Sequence, residues 1–175
     1  MTYLDLEKAF AIENTNISVV PFKSYLLNLM DLHAEDIQMI NDFPNYFAHI
    51  DSVGDYAYAV CIDGKPLTCF GVIPVWPHVA EIWMIPDKNM MQQYKTKFHK
   101  GAFKFMLTTA KQLNLHRIHC TVKANNARAI KWIEKMRFKK EGVCRQYGPD
   151  KVDYIMYARL FRNGYFIQST KNTKG

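Results

Sequence analysis

The stretch Val122-Lys-Ala-Asn-Asn126-Ala-Arg-Ala129-Ile-Lys-Trp132-Ile-Glu134-Lys135-Met-Arg-Phe138 joins a β-rich segment to a helical one. Residues 116–122 have the composition of a strand, and apolar side chains recur at helical spacing through residues 126–136. Asn126 stands at the expected N-cap, where backbone N–H groups and the positive end of the helix dipole face a ligand. The stretch therefore predicts a strand followed by a helix start suited to ligand binding, although Asn126 as a cap and Ala129 as a packing residue also explain each residue singly.

The rest of the chain shows alternating helix and strand signals on both sides of this stretch. Strands are predicted at residues 16–21, 56–62, 66–73, 79–85, 138–147 and 151–160, and helices at residues 24–30, 34–43 and 91–114. Asp63-Gly64 between two β-rich runs predicts a hairpin, and Pro44 indicates a helix stop. This order mixes an antiparallel meander with strand-helix-strand crossovers. It predicts an α/β (α+β) fold with a mixed central sheet of about seven strands flanked by about four helices.

Length and composition favour one compact domain. The chain has 175 residues, of which 49% are hydrophobic and 14% aromatic, which excludes disordered and low-complexity classes. We expect a single domain over residues 1–161 and a polar C-terminal tail over residues 162–175. No apolar run is long enough to span a bilayer and no secretory signal is visible, so we expect a cytoplasmic protein with no membrane partner.

The cysteine and histidine patterns do not predict a metal site. The four cysteines lie far apart in apolar or strand-like stretches, as buried free thiols do: Cys61, Cys69, Cys120 and Cys144. No pair forms a CxxC motif. His116 and His119 lie an odd number of residues apart in a predicted strand, so their side chains are expected on opposite faces.

Charge divides the chain into an acidic and a basic part. Residues 1–94 contain 4 Lys or Arg against 12 Asp or Glu, whereas residues 95–145 contain 14 against 2. A positive field confined to one part favours a polyanion such as a nucleic acid, a phosphorylated cofactor or an acidic protein. A solvated face of lysine-rich helices explains the same charges. The acidic part suits a cationic amine or a basic peptide.

The element order and the quoted stretch together resemble the GNAT superfamily of acyl-CoA-dependent N-acetyltransferases. That family's fifth strand and following helix read as Val, Asn four positions later, Ala three beyond, an aromatic-Tyr pair, Glu-Lys and Gly-Phe. The matching positions in this chain are Val122, Asn126, Ala129, Trp132, Glu134, Lys135 and Phe138. The resemblance covers roughly residues 16–161. It implies a GNAT-like fold, acetyl-CoA as cosubstrate and an amine as acceptor.

The resemblance implies a cofactor site where the fourth strand ends and the next helix begins. The family's phosphate loop reads Arg/Gln-x-x-Gly-x-Gly/Ala, and only Gly101-Ala102 resemble its end, with long cations in front of them. We expect the strand end to offer backbone partners to pantetheine and the lysines to meet phosphate. The cofactor-binding residues implied are Met84, Ile85, Lys95, Lys97, Lys100, Gly101, Ala102, Asn126 and Ala129.

The resemblance also implies a general base on the fourth strand. Glu81 lies between Ala80 and Ile82 in an apolar strand, where desolvation would raise its pKa. A solvent-facing Glu in an alternating strand is the other interpretation. His78, in a predicted turn after Pro77, is the alternative base.

The general acid departs from the family pattern. Ile133 stands where many members have a Tyr that protonates the departing thiolate, and isoleucine has no proton to donate. Tyr147 is therefore predicted as the catalytic acid, with Tyr154 and Cys144 as alternatives. Arg137 replaces the usual Gly before Phe138, which removes easy access to positive φ.

Three functions are compatible with these patterns. The first is an N-acetyltransferase that uses acetyl-CoA on an unidentified amine. The second is a GNAT-fold virion or interaction protein without turnover, because the lysine-substituted loop and Ile133 resemble those of divergent GNAT-like proteins of short-tailed phages. The third is a nucleic-acid-binding module that uses residues 95–145, a segment with the required charge and no recognised motif.

Overall fold

A mixed β-sheet forms the centre of the computed structural model, which describes residues 3–13, 15–162 and 165–166. Its strands are β1 (Ile17–Pro21), β2 (Ala57–Ile62), β3 (Lys65–Trp76), β4 (Val79–Pro86), β5 (Arg117–Lys123), β6 (Lys139–Cys144), β7 (Tyr154–Arg162) and β8 (Tyr165–Phe166). The order is β1-β2-β3-β4-β5-β7-β6, with β8 paired to β7. Among these described strands, β4 and β5 are the one parallel pair. The predicted mixed sheet of about seven strands is confirmed.

Helices cover both faces of the sheet. They are α1 (Tyr3–Phe10), a 3-10 helix (Ser24–Leu29), α2 (Ala34–Asp42), α3 (Pro44–Val53), α4 (Met90–Gln93), α5 (Lys95–Gln112) and α6 (Ala127–Lys135). The described residues thus hold more helices than the four or so expected from sequence. The predicted helix over residues 91–114 is interrupted at Tyr94, so α5 begins at Lys95.

Pro44 starts a helix where the sequence predicted a stop. It occupies the first turn of α3, where its missing N–H is not needed and its fixed φ already suits a helix. The helix α2 does end before Pro44, as predicted, but a second helix begins at Pro44 itself. This extra helix, α3, supplies Phe47 and Ile50 to the core.

Each face of the sheet has its own apolar core. On one face α1, α5 and α6 pack against the strands, and Phe10, Phe70, Phe98 and Phe105 make a chain of ring contacts with centroids 4.8 to 6.4 Å apart. On the other face the 3-10 helix and α3 bury an aromatic cluster around Trp83. Residues of β4 alternate between the two cores, since side chains of a strand point to opposite faces in turn.

The β2–β3 hairpin has the turn that its sequence predicts. Asp63 and Gly64 adopt φ values of 50° and 79°, which a two-residue hairpin loop with a primed turn requires. This hairpin and the β3–β4 hairpin make β1 to β4 an antiparallel meander.

The predicted tail from residue 162 lies mostly outside the described residues. Its described part, β8, pairs with the end of β7. The four cysteines are free, and Cys61, Cys69 and Cys120 are buried. None of the described helices has the length and apolar character needed to cross a membrane. In the same part of the chain no three His, Cys, Asp or Glu side chains converge as a metal ion would require.

Candidate functional site

The sheet splits between β4 and β5. The two strands pair only from Val79 to Glu81, opposite Arg117 to His119. Beyond these three pairs they share no register, and β4 runs on to Pro86 without a partner on this side among the described strands. A cavity of about 430 Å³ opens into this split and reaches both faces of the sheet. Its size and its mainly apolar lining are those of a small-molecule site.

One side of the cavity is formed by the first turns of α5, the start of α6 and the facing strand residues. These residues, called here the α5–α6 wall, are Ile82, Met84, Phe98, Ala102, Val122, Asn126, Ala129, Trp132 and Ile133. Most are apolar, and Phe98 and Trp132 lie with ring centroids 5.8 Å apart. This wall suits an uncharged, flexible ligand segment.

The other side is formed by α2, α3 and the second face of β4, with two tyrosines from the β6–β7 connection and the start of β7. These residues, called here the α2–α3 wall, are Glu35, Asp36, Met39, Asp42, Phe43, Tyr46, Phe47, Glu81, Trp83, Ile85, Tyr147 and Tyr154. They combine aromatic rings with four carboxyl groups. The two walls therefore differ in chemistry as well as in position.

Glu81 lies where β4 and β5 part, with its side chain half-buried in the cavity. Burial raises its pKa above the usual range. Burial also raises the pKa of Tyr46 well above its usual range, and the nearby charge of Glu81 adds to that rise. The structure thus places the predicted base in the cavity rather than in open solvent, with a tyrosine within electrostatic reach.

Cys120 is a cavity residue that the sequence identified only as a buried thiol. It lines the cavity from β5. Burial raises its pKa to about 12, and the neighbouring Glu81 adds to the rise. The thiol therefore stays protonated at neutral pH, unlike a nucleophilic cysteine, whose pKa is lowered.

The start of α6 has the predicted cap. The Asn126 side-chain oxygen accepts a hydrogen bond from the Ala129 N–H at 3.0 Å, and both residues line the cavity. Ile133 follows one turn later and is buried in the same wall. Arg137, after the helix, adopts φ 62°, so the left-handed conformation usually taken by Gly is present despite the side chain.

An ion pair joins the two walls. Arg128 at the start of α6 donates to the Asp36 carboxylate on α2 at 3.1 Å. Burial raises the pKa of Asp36, and Arg128 opposes that rise. The pair fixes the spacing between helices that belong to different faces of the sheet.

The predicted phosphate contacts separate on α5. Lys95, in the first turn, shares a helix face with Phe98 and Ala102, which line the cavity, because residues three and seven apart lie on one face. Lys97 and Lys100 are exposed on the opposite side of the helix. None of the three lysines lines the cavity and all three are exposed, but Lys95 is the one that shares a helix face with cavity residues.

Gly101 packs against α1 and lies outside the cavity lining. It lies in the second turn of α5, and a Cβ at this position would overlap the Phe10 ring. Because α5 begins at Lys95, the N–H groups of Gly101 and Ala102 belong to the helix interior and not to a phosphate loop.

Some of the remaining predicted residues line the cavity, and others lie outside it. Met84 and Ile85 both line the cavity, from opposite faces of β4. Tyr147 lies at its edge, 60% exposed, with its ring 5.4 Å from that of Tyr154. Cys144 does not line the cavity, and His78 lies at the exposed β3–β4 turn, where its Nδ1 is 3.0 Å from the Asn114 carbonyl oxygen.

The sequence interpretation identified Glu81, Ile85, Tyr147 and Tyr154 but missed the part of the α2–α3 wall that α2 and α3 supply. Tyr46 and Phe47 belong to the unpredicted α3, and Asp36 meets Arg128 across 92 residues of chain. Trp83 was not identified as a site residue. Its indole N–H is buried and lacks a partner among the described residues, although the ring lines the cavity. The alternation of Glu81, Trp83 and Ile85 on one face of β4 was the signal that could have indicated this wall.

Solved structures of acetyltransferases share this fold. A GNAT-family acetyltransferase from Bacillus anthracis is 16% identical, with a TM-score of 0.62 over 82% of this chain and 94% of that one. Ard1 from Thermoplasma volcanium is 11% identical, with a TM-score of 0.60 over 83% and 98%. The ribosomal-protein-S18-alanine N-acetyltransferase from Escherichia coli is 15% identical, with a TM-score of 0.57 over 91% and 99%. No protein-family model and no curated protein sequence matches the chain. At these identities the likeness establishes the fold: the chain has the architecture of GNAT acetyltransferases.

Proposed function

We propose that this GNAT-fold chain is an N-acetyltransferase that transfers the acetyl group of acetyl-CoA to an amine. One observation carries the proposal. The cavity at the β4–β5 split joins an apolar wall on one face of the sheet to an acidic, aromatic wall on the other, with Glu81 at their junction. A donor and an acceptor can therefore approach from opposite faces and meet beside a carboxylate.

The α5–α6 wall fits an acyl-CoA. Ile82, Met84 and Val122 offer apolar contacts to a pantetheine arm, and β4 beyond Glu81 has an edge with no strand partner toward β5 among the described residues. Lys95 shares the helix face of Phe98 and Ala102, and α5 begins without a side-chain cap, so in this proposal a phosphate meets both a cation and helix N–H groups at the start of α5. When bound, acetyl-CoA supplies an acetyl group activated as a thioester.

Glu81 acts as the base in this proposal. An alkylammonium has to lose a proton before its nitrogen can attack, and a half-buried carboxylate of raised pKa is a stronger acceptor of that proton than an exposed one. The new C–N bond then replaces the C–S bond. The ammonium gives up two protons in all: the first goes to Glu81 and on to solvent, and the second replaces, by way of solvent, the proton that the sulfur takes from the general acid as it leaves as a thiol.

Tyr147 is the proposed donor of a proton to the departing sulfur. It lies at the edge of the same cavity as Glu81, and both residues are close enough to Tyr46 to add to the rise of its pKa that burial causes. Tyr154 lies beside it as the alternative donor. Ile133 leaves the usual donor position apolar.

A GNAT-fold interaction protein without turnover is the second candidate function. It is favoured by the burial of Ile133 in the cavity and by the lysines at the phosphate-loop position. The likeness to phage virion proteins rests on sequence alone and stays a prediction.

Calorimetric titration with acetyl-CoA separates these functions, using Lys95→Ala and Lys100→Ala as a matched pair on α5. The wild type is expected to bind, and Lys95→Ala to bind about tenfold more weakly, a loss of about 1.4 kcal/mol that shrinks as salt is added. Lys100→Ala removes the same charge from the outer face and should change the Kd less than twofold. No heat of binding in the wild type would exclude the acetyltransferase and leave the interaction protein.

A further inference from the structure

We infer that the acceptor is a small amine with a second positive charge, of the linear aliphatic diamine class, and that it lies along the α2–α3 wall. The inference rests on the proposed function and specifies which amine the site takes. It depends on three features of this wall: an aromatic enclosure around Glu81, unpaired carboxylates at the outer end, and a buried donor without a partner among the described residues.

The aromatic enclosure is formed by rings that contact one another beside Glu81. The Tyr46 and Phe47 ring centroids lie 5.2 Å apart, and those of Phe47 and Trp83 lie 6.0 Å apart, both in edge-on arrangements. Tyr46 lies close enough to Glu81 for the carboxylate to influence its pKa. Aromatic faces attract ammonium groups and also pack against methylene groups, so a thin alkylammonium chain matches the lining.

Carboxylates mark the outer end of the same wall. Glu35 and Asp42 lie seven residues apart on α2, about 10 Å along the helix axis. Asp36, between them, is paired with Arg128, whereas Glu35 and Asp42 form no ion pair within the described part of the chain. A second ammonium would therefore find carboxylates free to receive it.

The charge balance of the cavity points the same way. Its lining holds the carboxyl groups of Glu35, Asp36, Asp42 and Glu81 against two cations, Lys123 and Arg128. Lys123 is paired with Asp150 at 2.6 Å, and this hydrogen bond is the main reason that its pKa is raised. The charge of Asp42 adds only a smaller rise. The surplus negative charge is divided between Glu81 at the inner end and α2 at the outer end, which matches a molecule with a cation at each end.

Trp83 gives a separate indication that a ligand completes this wall. Its side chain is more than nine-tenths buried and lines the cavity, yet its indole N–H has no partner among the described residues. Buried donors without a partner are rare because they lose their hydrogen bonds to water. The carbonyl oxygen of an acetyl group brought beside Glu81 is an acceptor of the kind that this donor lacks.

Three amines of equal chain length test the inference: 1,5-diaminopentane, pentylamine and 5-aminopentanoate. They differ only in whether the far end is positive, neutral or negative. In a thiol-release assay with saturating acetyl-CoA, kcat/KM should be at least tenfold higher for the diamine than for pentylamine. That margin exceeds the twofold given by its two equivalent ends, and 5-aminopentanoate should be the poorest acceptor.

The double variant Glu35→Gln, Asp42→Asn is expected to lower the ratio of kcat/KM for the diamine to kcat/KM for pentylamine from at least tenfold to about the twofold given by the two equivalent ends of the diamine. Asp63→Asn removes a carboxylate at the β2–β3 turn, which does not line the cavity, and should leave this ratio unchanged. Asn is tolerated at positive φ, so this control keeps its turn.

The outcomes separate the inference from the proposed function. If acetyl-CoA binds but pentylamine or 5-aminopentanoate reacts as fast as the diamine, or none of the three reacts, the inference is overturned and the acetyltransferase proposal stands. A preference for the diamine that persists in the double variant also overturns it. If acetyl-CoA does not bind, the proposed function fails first.

Discussion

The two walls of the cavity face each other across one split in the sheet, yet they are built in different ways. The α5–α6 wall comes from two helices that each flank β5 in the chain, with a capped helix start and regularly spaced apolar residues. The α2–α3 wall takes its helical residues from two short helices inserted between β1 and β2. These helices reach β4 only through tertiary contacts. The first wall is mainly apolar, and the second is aromatic and acidic. The difference teaches that the common elements of a fold determine the position of one wall of its cavity, whereas inserted helices determine the chemistry of the other.

Removing the carboxylate where the two walls meet should have the largest effect. Glu81→Gln is expected to lower kcat by about 10² to 10⁴, the usual contribution of a general base. In the wild type, activity should rise with pH as Glu81 ionises, and its raised pKa moves that rise above the usual range of a glutamate. Steady-state rates measured across pH report both effects, and the variant should lose this rise.

Glu13→Gln is the matched control for this change, because Glu13 is exposed and remote from the cavity lining. Equal rates and equal pH profiles for wild type and Glu81→Gln would show that Glu81 is structural. A group other than Glu81 would then have to accept the proton of the amine.

The next effect concerns stability. It tests whether Gly101 belongs to the α5–α6 wall or only packs against α1. Gly101→Ala places a Cβ against the buried ring of Phe10 and should lower the free energy of unfolding by about 1 to 3 kcal/mol. Denaturant unfolding measures the loss. Gly142→Ala, at a position with open space around the added carbon, should change stability little. The Kd for acetyl-CoA should stay within about twofold for the folded Gly101→Ala protein, and a weaker Kd at unchanged stability would return Gly101 to the cofactor site.

The smallest effect is expected at the edge of the α2–α3 wall. Tyr147→Phe should lower kcat by about tenfold or less, because a thiol with a pKa near 8.5 leaves as thiolate without much help. Tyr154→Phe, its ring neighbour, is the matched control and should keep the wild-type rate. Ile133→Tyr should raise the rate if the usual donor position still reaches the sulfur. A larger loss in Tyr154→Phe than in Tyr147→Phe would reverse the assignment of the acid.

Sequence reasoning succeeded where local chemistry decides structure. The Asp63-Gly64 turn and the Asn126 cap were both predicted because each depends on a few adjacent residues. It failed for α3, since Pro44 carries the same signal at the end of one helix and at the first turn of the next. It failed for α1 because the reason for that helix, contact of Phe10 with α5, lies far along the chain.

Distant contacts also limited how much of the site could be predicted. Glu81 was predicted from the family resemblance, and its place in an apolar strand supported that prediction. Gly101 was assigned to the cofactor site because it looked like the end of a phosphate loop, whereas its lack of a side chain makes room for Phe10. No local pattern indicates that Asp36 pairs with Arg128 or that Tyr46 approaches Glu81.

The packing of Phe10 against Gly101 also has a consequence for synthesis on the ribosome. Phe10 leaves the ribosome about ninety residues before its partner, and at roughly 5 to 20 residues per second that interval lasts about 5 to 20 s. During it Leu6 and Phe10, both buried in the finished protein, have no α5 to cover them. The nascent β1 to β4 meander likewise exposes the face that α5 later closes. The emergence of α5 therefore ends the period in which Leu6 and Phe10 are open to chaperones and to aggregation.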